Sequence, residues 1–336
     1  MKDKIEKNRL AVLRALHEAN RPLGSSRIAE RLAAGGLEIS ERTVRFYLLA
    51  LDRDGLTRNL GKRGRAITER GAAELAKARV VEKVGLLASK IDQLTYRMDF
   101  NLSRKTGTIV LNLAVVPRPQ LGPAARLIRR IFQAGYGMGN LMSLAPGGAQ
   151  VGETTVPQGM VGVGTVCSIT LNGVLVAQGI PTTSRFGGLL ELRDGKPLRF
   201  EEIIYYDGTS LDPLEIFIRG GMTDTLGAAA TGQGRIGASF REVPALSRDQ
   251  VIALSRRLKK IGLGGLLLIG WPGRPLLEIP VGEGRCGLIV TGGLNPLAAL
   301  EERGIHIHTR ALAALVDFRE LFPFQELDSR IKNLAS

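Results

Sequence analysis

The sequence predicts an α+β protein with a helical N-terminal part, a long linker helix and a larger α/β body. Three observations predict this architecture. Residues 1–98 carry helical apolar patterns, whereas most of the 42 glycines lie beyond residue 100. Residues 1–98 hold 21 Lys and Arg against 12 Asp and Glu, and residues 99–336 hold 25 against 20. Positive charge is therefore concentrated in the N-terminal part, which favours a polyanionic partner for it.

Composition excludes several classes of protein. The chain has 336 residues, 44% of them hydrophobic, and a formal net charge of +14, so it is neither disordered nor collagen-like. Two cysteines rule out a disulfide scaffold and indicate a reducing compartment. No apolar run reaches the ~18 residues that a membrane span needs, and the charged start MKDKIEKNRL lacks the apolar segment of a signal peptide. We expect a cytoplasmic protein with no membrane segment.

Three helices are predicted in the first 55 residues. Apolar side chains recur at helical spacing over residues 4–19. Ser25 or Ser26 is suited to cap a second helix, and Ser40 is suited to cap a third, which Gly55 ends.

A short basic hairpin follows these helices, with its turn at residues 61–64. Three helices and a basic hairpin describe a winged helix-turn-helix over residues 1–70. The first turn of its third helix enters the major groove of DNA, and the hairpin, or wing, contacts phosphates or the minor groove. The residues predicted to contact DNA are Ser40, Glu41, Arg42, Thr43 and Arg45 of the third helix and Arg58, Lys62, Arg63 and Arg65 of the wing.

The run from Ser40 to Leu48, the pair Gly55-Leu56 and the turn GKRGR at 61–65 resemble the ribonuclease R-type winged-helix family, which stands at the front of repressors. The resemblance implies a DNA-binding domain. The alternative is a winged helix that serves protein contact or dimerisation, with its charges simply solvated.

Residues 71–98 are predicted to form a linker helix. Every third or fourth residue along one face is small or apolar, which allows either a dimer seam or packing on the chain's own domain. We favour a dimer seam, because DNA-reading winged helices usually work in pairs. The seam positions are Val81, Val84, Ala88, Ile91, Thr95 and Met98.

The body, residues 99–336, contains a pattern that occurs twice. A strand, a glycine-containing turn, a helix and a closing glycine run from Gly164 to Gly179 and again from Gly284 to Gly304. Each copy has a cysteine in its strand, Cys167 or Cys286. The pattern predicts an internal structural repeat.

Signals for catalysis are weak in the body. No Walker A motif occurs, and no dinucleotide-binding glycine motif has the required context. His306 and His308 lack the further ligands that a metal needs. We expect no enzyme activity, no metal and no cofactor. The alternatives are an enzyme fused to a nucleic-acid-binding module, or an oligomerisation module without a ligand.

Four separated runs, at residues 184–191, 206–217, 238–245 and 292–296, resemble the regulatory domain of the NrpR nitrogen-regulation repressors. The resemblance spans about residues 107–325. It implies a repressor of nitrogen-metabolism genes whose DNA binding 2-oxoglutarate weakens. Many members of that family carry two tandem regulatory domains, whereas this chain has room for one, so a homodimer would supply the second.

An effector such as 2-oxoglutarate, a small anionic metabolite, needs cationic side chains, hydroxyls and backbone N–H donors. Arg185 and Arg241 stand in the best-matching strands, where they could clamp a carboxylate. The alternative is that Glu191, Glu242 or Asp207 pairs with these arginines to hold strands together. The candidate effector residues are Cys167, Ser184, Arg185, Ser239, Arg241, Gly293 and Asn295.

Overall fold

A computed structural model describes residues 2–78 and 86–335 and divides the chain into two units, Met1–Val84 and Gly85–Ser336. Both units follow the predicted mixture of helix and strand. Within the described residues, no helix combines the length and apolar character that crossing a bilayer requires.

The N-terminal unit is a winged helix, as predicted. Val44 and Leu48 of its third helix are fully buried against Leu13 and Ile28 of the first two helices. Its elements in chain order are α1 (Lys2–Ala19), α2 (Ser25–Ala34), α3 (Glu41–Arg53), β1 (Thr57–Asn59), β2 (Arg65–Ile67) and α4 (Glu69–Ala78).

The wing, β1 and β2 with their turn, is fixed to the loop between α1 and α2. The Leu23 and Arg65 backbones exchange two hydrogen bonds of 2.9 and 3.0 Å. At Gly64, whose φ is +94°, a Cβ atom would stand 2.3 Å from the Leu23 carbonyl oxygen. Only glycine allows this approach, so the wing's position depends on the predicted GKRG turn.

The predicted linker of residues 71–98 is divided between the two units. Leu75 of α4 is buried in the winged-helix core. In α5 (Leu86–Arg97), Ile91 is buried in the core of the body, as is Met98 just beyond it. The alternative interpretation therefore holds for residues 86–98, because two seam positions pack inside their own unit. The seam positions Val81 and Val84 lie outside the described residues.

The body contains two five-stranded antiparallel sheets and the remaining helices. Its strands are β3 (Thr108–Pro117), β4 (Leu141–Ala145), β5 (Gln150–Val151), β6 (Thr154–Thr155), β7 (Met160–Val166), β8 (Thr183–Arg193), β9 (Lys196–Tyr205), β10 (Gly234–Pro244), β11 (Leu266–Ile269), β12 (Arg285–Thr291), β13 (His308–Asp317) and β14 (Phe322–Pro323). Its further helices are α6 (Leu121–Gln133), α7 (Ile169–Ala177), α8 (Pro213–Arg219), α9 (Thr225–Thr231), α10 (Arg248–Lys260), α11 (Asn295–Glu301) and α12 (Leu327–Ala335). The strand orders of the two sheets are β11-β12-β10-β8-β9 and β13-β3-β7-β4-β14.

The body is an internal duplication whose halves exchange a strand. Apart from the short β5-β6 pair between β4 and β7, the series β3-α6-β4-β7-α7-β8 has the same order of elements as β10-α10-β11-β12-α11-β13. Their sheets run β4-β7-β3-β13 and β11-β12-β10-β8, so the last strand of each half joins the sheet of the other. Neither half can complete its own sheet, which makes the body one folding unit.

The repeat has a different register from the predicted one. Gly179 and Gly304 each stand thirteen residues after the end of the preceding strand, at Val166 and Thr291. Cys167 therefore corresponds to Gly292, and the predicted match of Cys167 with Cys286 is wrong. The backbone agrees, since the Cys167 amide donates to β3 over 2.8 Å and the Gly292 amide donates to β10 over 2.7 Å.

Candidate DNA-reading surface and effector site

Helix α3 has one buried and one exposed face. Its apolar face is buried in the winged-helix core through Val44, Tyr47, Leu48 and Leu51. The opposite side exposes Arg42, Arg45, Phe46 and Leu49, which follow one another at helical spacing.

Four of the five residues predicted to read DNA from α3 contact other residues of the domain. Ser40 caps the helix by accepting from the Thr43 amide at 3.2 Å, and its hydroxyl lies 2.8 Å from that of Thr43. Glu41 accepts from Ser25 at 2.9 Å and from Arg45 at 2.6 Å, and these bonds lower the pKa of Glu41. Arg42 is exposed and has no polar partner among the described residues.

The wing contains two kinds of cation. Arg58, Lys62 and Arg63 are exposed and make no ion pair with any described residue. Arg65 donates from Nε to Asp52 Oδ2 at 2.7 Å, and only 15% of its side chain is exposed. The sequence predicts that Arg65 contacts DNA, but in the structure its guanidinium forms an ion pair with Asp52. This pair connects the wing to α3.

Arg241 is the most unusual side chain of the body. It lies on the central strand β10 with no exposed surface, and its Nη2 atom donates to Ser168 Oγ at 2.9 Å. Its Nε and Nη1 atoms are buried without a hydrogen-bond partner. Among the described residues, no carboxylate forms an ion pair with it. A guanidinium buried in this way has two donors ready for an anion.

Cys167 and Tyr206 lie near Arg241, and Asp212 lies near both of them. Burial changes the pKa values of all these groups. It raises the pKa of Cys167 to about 11, so the thiol stays protonated. It also raises the pKa of Tyr206, whose hydroxyl bonds to Ser239, and that of Asp212 to about 7. Burial lowers the pKa of Arg241, and the neighbouring Tyr206 and Cys167 oppose that shift. The cluster thus presents cationic and hydroxyl donors around one buried point.

Of the seven predicted effector residues, the structure brings Cys167, Ser239, Arg241 and Gly293 together. Gly293 packs so tightly that a Cβ atom would stand 3.1 Å from the Cys167 Cα atom. The hydroxyl of Ser184 accepts from Asn172 at 2.8 Å.

Arg185 and Asn295 have structural contacts instead. Arg185 pairs with Glu242 at 2.8 Å, and Arg285 lies 3.7 Å from the same carboxylate. Because successive residues of a strand point to opposite faces, Glu242 and its arginines lie across the sheet from Arg241. Asn295 bonds to both backbone groups of Gly237. The predicted two-arginine clamp is therefore wrong, and for Arg185 the strand-holding alternative is correct.

Comparison with known proteins identifies the family. Residues 84–323 match the family model described as NrpR regulatory domains NRD1 and 2, and residues 10–75 match the ribonuclease R winged-helix domain. The global nitrogen regulator NrpRI of Methanosarcina mazei is 32% identical over 321 residues, which cover 96% of this chain and 99% of that protein. The chain belongs to the NrpR family. It is accordingly a nitrogen-related transcriptional regulator.

Two further NrpR relatives place the chain within the family. The global nitrogen regulator NrpR of Methanococcus maripaludis is 32% identical over 92% of this chain, which spans 54% of that protein. A solved structure, described as a nitrogen repressor-like protein from Methanococcus jannaschii, has 28% identity and a TM-score of 0.60. That match covers 70% of this chain and 97% of the solved one.

Sequence reasoning did not single out three residues that the structure places in the buried cluster around Arg241: Ser168, Tyr206 and Asp212. Tyr206 and Asp212 stand in a run that carried the resemblance, and that signal could have found them. Ser168 directly follows Cys167 but carries no signal of its own. Among the described residues, no group of three side chains is placed to hold a metal ion. His306 lies 3.2 Å from Glu301.

Proposed function

We propose that this NrpR-family chain is a repressor that binds operator DNA as a homodimer and senses 2-oxoglutarate to control nitrogen-metabolism genes. α3 and the wing would contact the DNA. The observation that carries the sensing part of the proposal is the buried guanidinium of Arg241. Its Nε and Nη1 atoms have no hydrogen-bond partner, and no carboxylate of the described residues pairs with it. An anionic ligand stabilises a cation buried in this way.

The chemistry of the cluster suits a keto dicarboxylate. The free Nε and Nη1 donors of Arg241 lie on different edges of the guanidinium, so each can donate to a separate oxygen of a keto dicarboxylate. The hydroxyl of Ser168, which accepts from Arg241, would supply a further donor, and the hydroxyls of Tyr206 and Ser239 would line the site. Asp212, with its pKa of about 7, can lose its charge when an anion arrives.

Ligand and DNA would be coupled through the dimer. A metabolite can change operator affinity only if it binds more tightly to one arrangement of the two DNA-binding units than to the other. We propose that 2-oxoglutarate favours an arrangement that does not fit two half-sites.

The test combines calorimetry of 2-oxoglutarate binding with a gel-shift titration of operator DNA. We expect saturable binding of 2-oxoglutarate and loss of the shifted complex at the same concentrations. Arg241→Gln should bind operator but lose the response, whereas Arg185→Gln serves as the matched control and should keep it. Two results would contradict the proposed effector site: no heat of binding when 2-oxoglutarate is titrated into the intact chain, or release of operator DNA by 2-oxoglutarate in Arg241→Gln.

The homodimer has its own measurement. Sedimentation of the full chain at several concentrations should give twice the mass of the 36.2 kDa chain. A monomer at the concentrations that bind operator would contradict the dimeric part of the proposal.

A further inference from the structure

Helix α3 exposes two large apolar side chains that the winged-helix core does not use. Phe46 is 67% exposed and Leu49 is 48% exposed. The core already has its own set of α3 side chains on the opposite face. Packing within the unit therefore gives no reason for a phenylalanine and a leucine at these positions.

The apolar pair shares its face with cations. Arg42 is four residues before Phe46 and has no polar partner among the described residues. Residues four apart on a helix are neighbours, so Arg42 and Phe46 lie next to each other on the exposed face of α3. The same unit exposes Arg58, Lys62 and Arg63 on its wing without ion pairs. This charge favours duplex DNA over an apolar protein as the partner that covers Phe46.

The major groove offers one apolar feature, the 5-methyl group of thymine. We propose that Phe46, supported by Leu49 one turn further along α3, recognises a thymine methyl group in the operator. Arg42 then reads the edge of a neighbouring base. The inference rests on the DNA binding proposed above, and it adds a specificity determinant that makes no hydrogen bond.

The test removes only the methyl group. An operator is first selected from random-sequence DNA with the full chain, and each thymine is then replaced singly by deoxyuridine, which keeps the pairing edge. For the wild-type chain we expect an affinity loss of about fourfold at one or two positions per half-site, the factor associated with one buried methyl group. Thymines outside the selected site serve as the DNA control.

Variants assign the effect to the side chain. Phe46→Ala should bind thymine and deoxyuridine operators equally, and Phe46→Leu should restore part of the difference. Arg42→Ala should keep the thymine preference while it loses another base preference. If deoxyuridine is tolerated at every position, or if Phe46→Ala keeps the full difference, Phe46 does not read a methyl group.

Two other results are distinguishable from these. If the wild-type chain binds every DNA sequence equally or not at all, the proposed function fails and the inference fails with it. If Phe46→Ala changes the sedimenting mass while the thymine preference stays, the exposed face is a protein interface, and that result overturns the inference alone.

Discussion

Two arginines of the N-terminal unit differ in their partners, and the difference determines what each can do. Arg42 is exposed and makes no ion pair with any residue that the structure describes, whereas Arg65 is largely covered and donates to Asp52. A free cation on a recognition helix can bind a base edge. A cation held in a partly buried pair contributes to stability instead.

For Arg42 we expect Arg42→Ala to relax base preference without lowering thermal stability. Arg63→Ala should weaken binding to all sequences and reduce the slope of log affinity against log salt concentration by about one. Titrations of operator and random DNA at several salt concentrations separate the two effects. Equal losses on both DNAs from Arg42→Ala would contradict the proposed orientation of α3.

For Arg65 we expect Arg65→Ala to destabilise the N-terminal unit by about 1–2 kcal/mol, because it removes a charged hydrogen bond and leaves Asp52 without that partner. Thermal unfolding of the full chain measures the loss. Arg63→Ala is the matched control, since Arg63 is exposed and unpaired among the described residues. Similar stability in both variants would mean that the Asp52 pair does not fix the wing.

Asp212 gives the body a pH dependence of known sign. Its pKa in the folded chain is about 7, well above its usual 3.8, so the folded state binds more protons than the unfolded state between these values. Stability should therefore fall as pH rises from about 4 to 7 and then stay level. Asp212→Asn keeps an oxygen that can cap α8 but removes the titration. The difference in melting temperature between wild type and variant across this range should have that sign, and a difference independent of pH would contradict the assignment.

At the scale of elements, corresponding helices of the two halves form side-chain hydrogen bonds to the backbone of corresponding strands. The Thr170 hydroxyl of α7 bonds to both backbone groups of Val110 in β3 at 3.2 Å. The Asn295 amide of α11 bonds to both backbone groups of Gly237 in β10 at 2.8 and 2.9 Å. Asn295 also donates to Tyr136 O and Thr291 Oγ1. Both contacts hold a helix against the backbone of the first strand of its half, and the Asn295 contact includes more hydrogen bonds than the Thr170 contact.

Asn295→Ala should therefore destabilise the body more than Thr170→Ala does. The first variant leaves the buried Gly237 amide without its acceptor and removes the donations to Tyr136 and Thr291, while the Gly237 carbonyl keeps the bond from the Gly292 amide. We expect a loss of about 3 kcal/mol, against about 1–2 kcal/mol for the second variant. Urea denaturation of the full chain, followed through the unfolding transition of the body, measures both losses. The dependence of the free energy of unfolding on urea concentration should stay the same in both variants. Equal losses would show that the additional bonds of Asn295 contribute nothing.

The elements also show which features a sequence can predict. The α3 cap at Ser40 and the wing turn at Gly64 depend on residues close in the chain, and both were predicted. The repeat was recognised, but its register was not, because cysteines were matched where strand ends should have been. The partners of Arg185 and Asn295 stand 57 and 58 residues away, so their structural roles follow from strand pairing, which local patterns do not encode.

At the scale of the whole molecule, the two halves of the duplicated body differ at the position of Arg241, because only the second half has an arginine there. Its counterpart in the first half is Ala114, since Val110 and Gly237 occupy equivalent positions. One chain would therefore hold one such effector site, and a dimer would hold two. This chain spans about half the length of the NrpR of Methanococcus maripaludis, namely 54% of it.

Coupling between the effector and DNA must act in both directions. If 2-oxoglutarate lowers operator affinity by some factor, bound operator lowers 2-oxoglutarate affinity by the same factor, because both follow from one coupling free energy. We expect calorimetry to give weaker 2-oxoglutarate binding with saturating operator than with random DNA at equal salt concentration. Arg42→Ala should bind 2-oxoglutarate normally without DNA, because the substitution lies in the other unit. An effector affinity unchanged by operator would mean that the ligand, even if it binds at Arg241, does not control DNA binding.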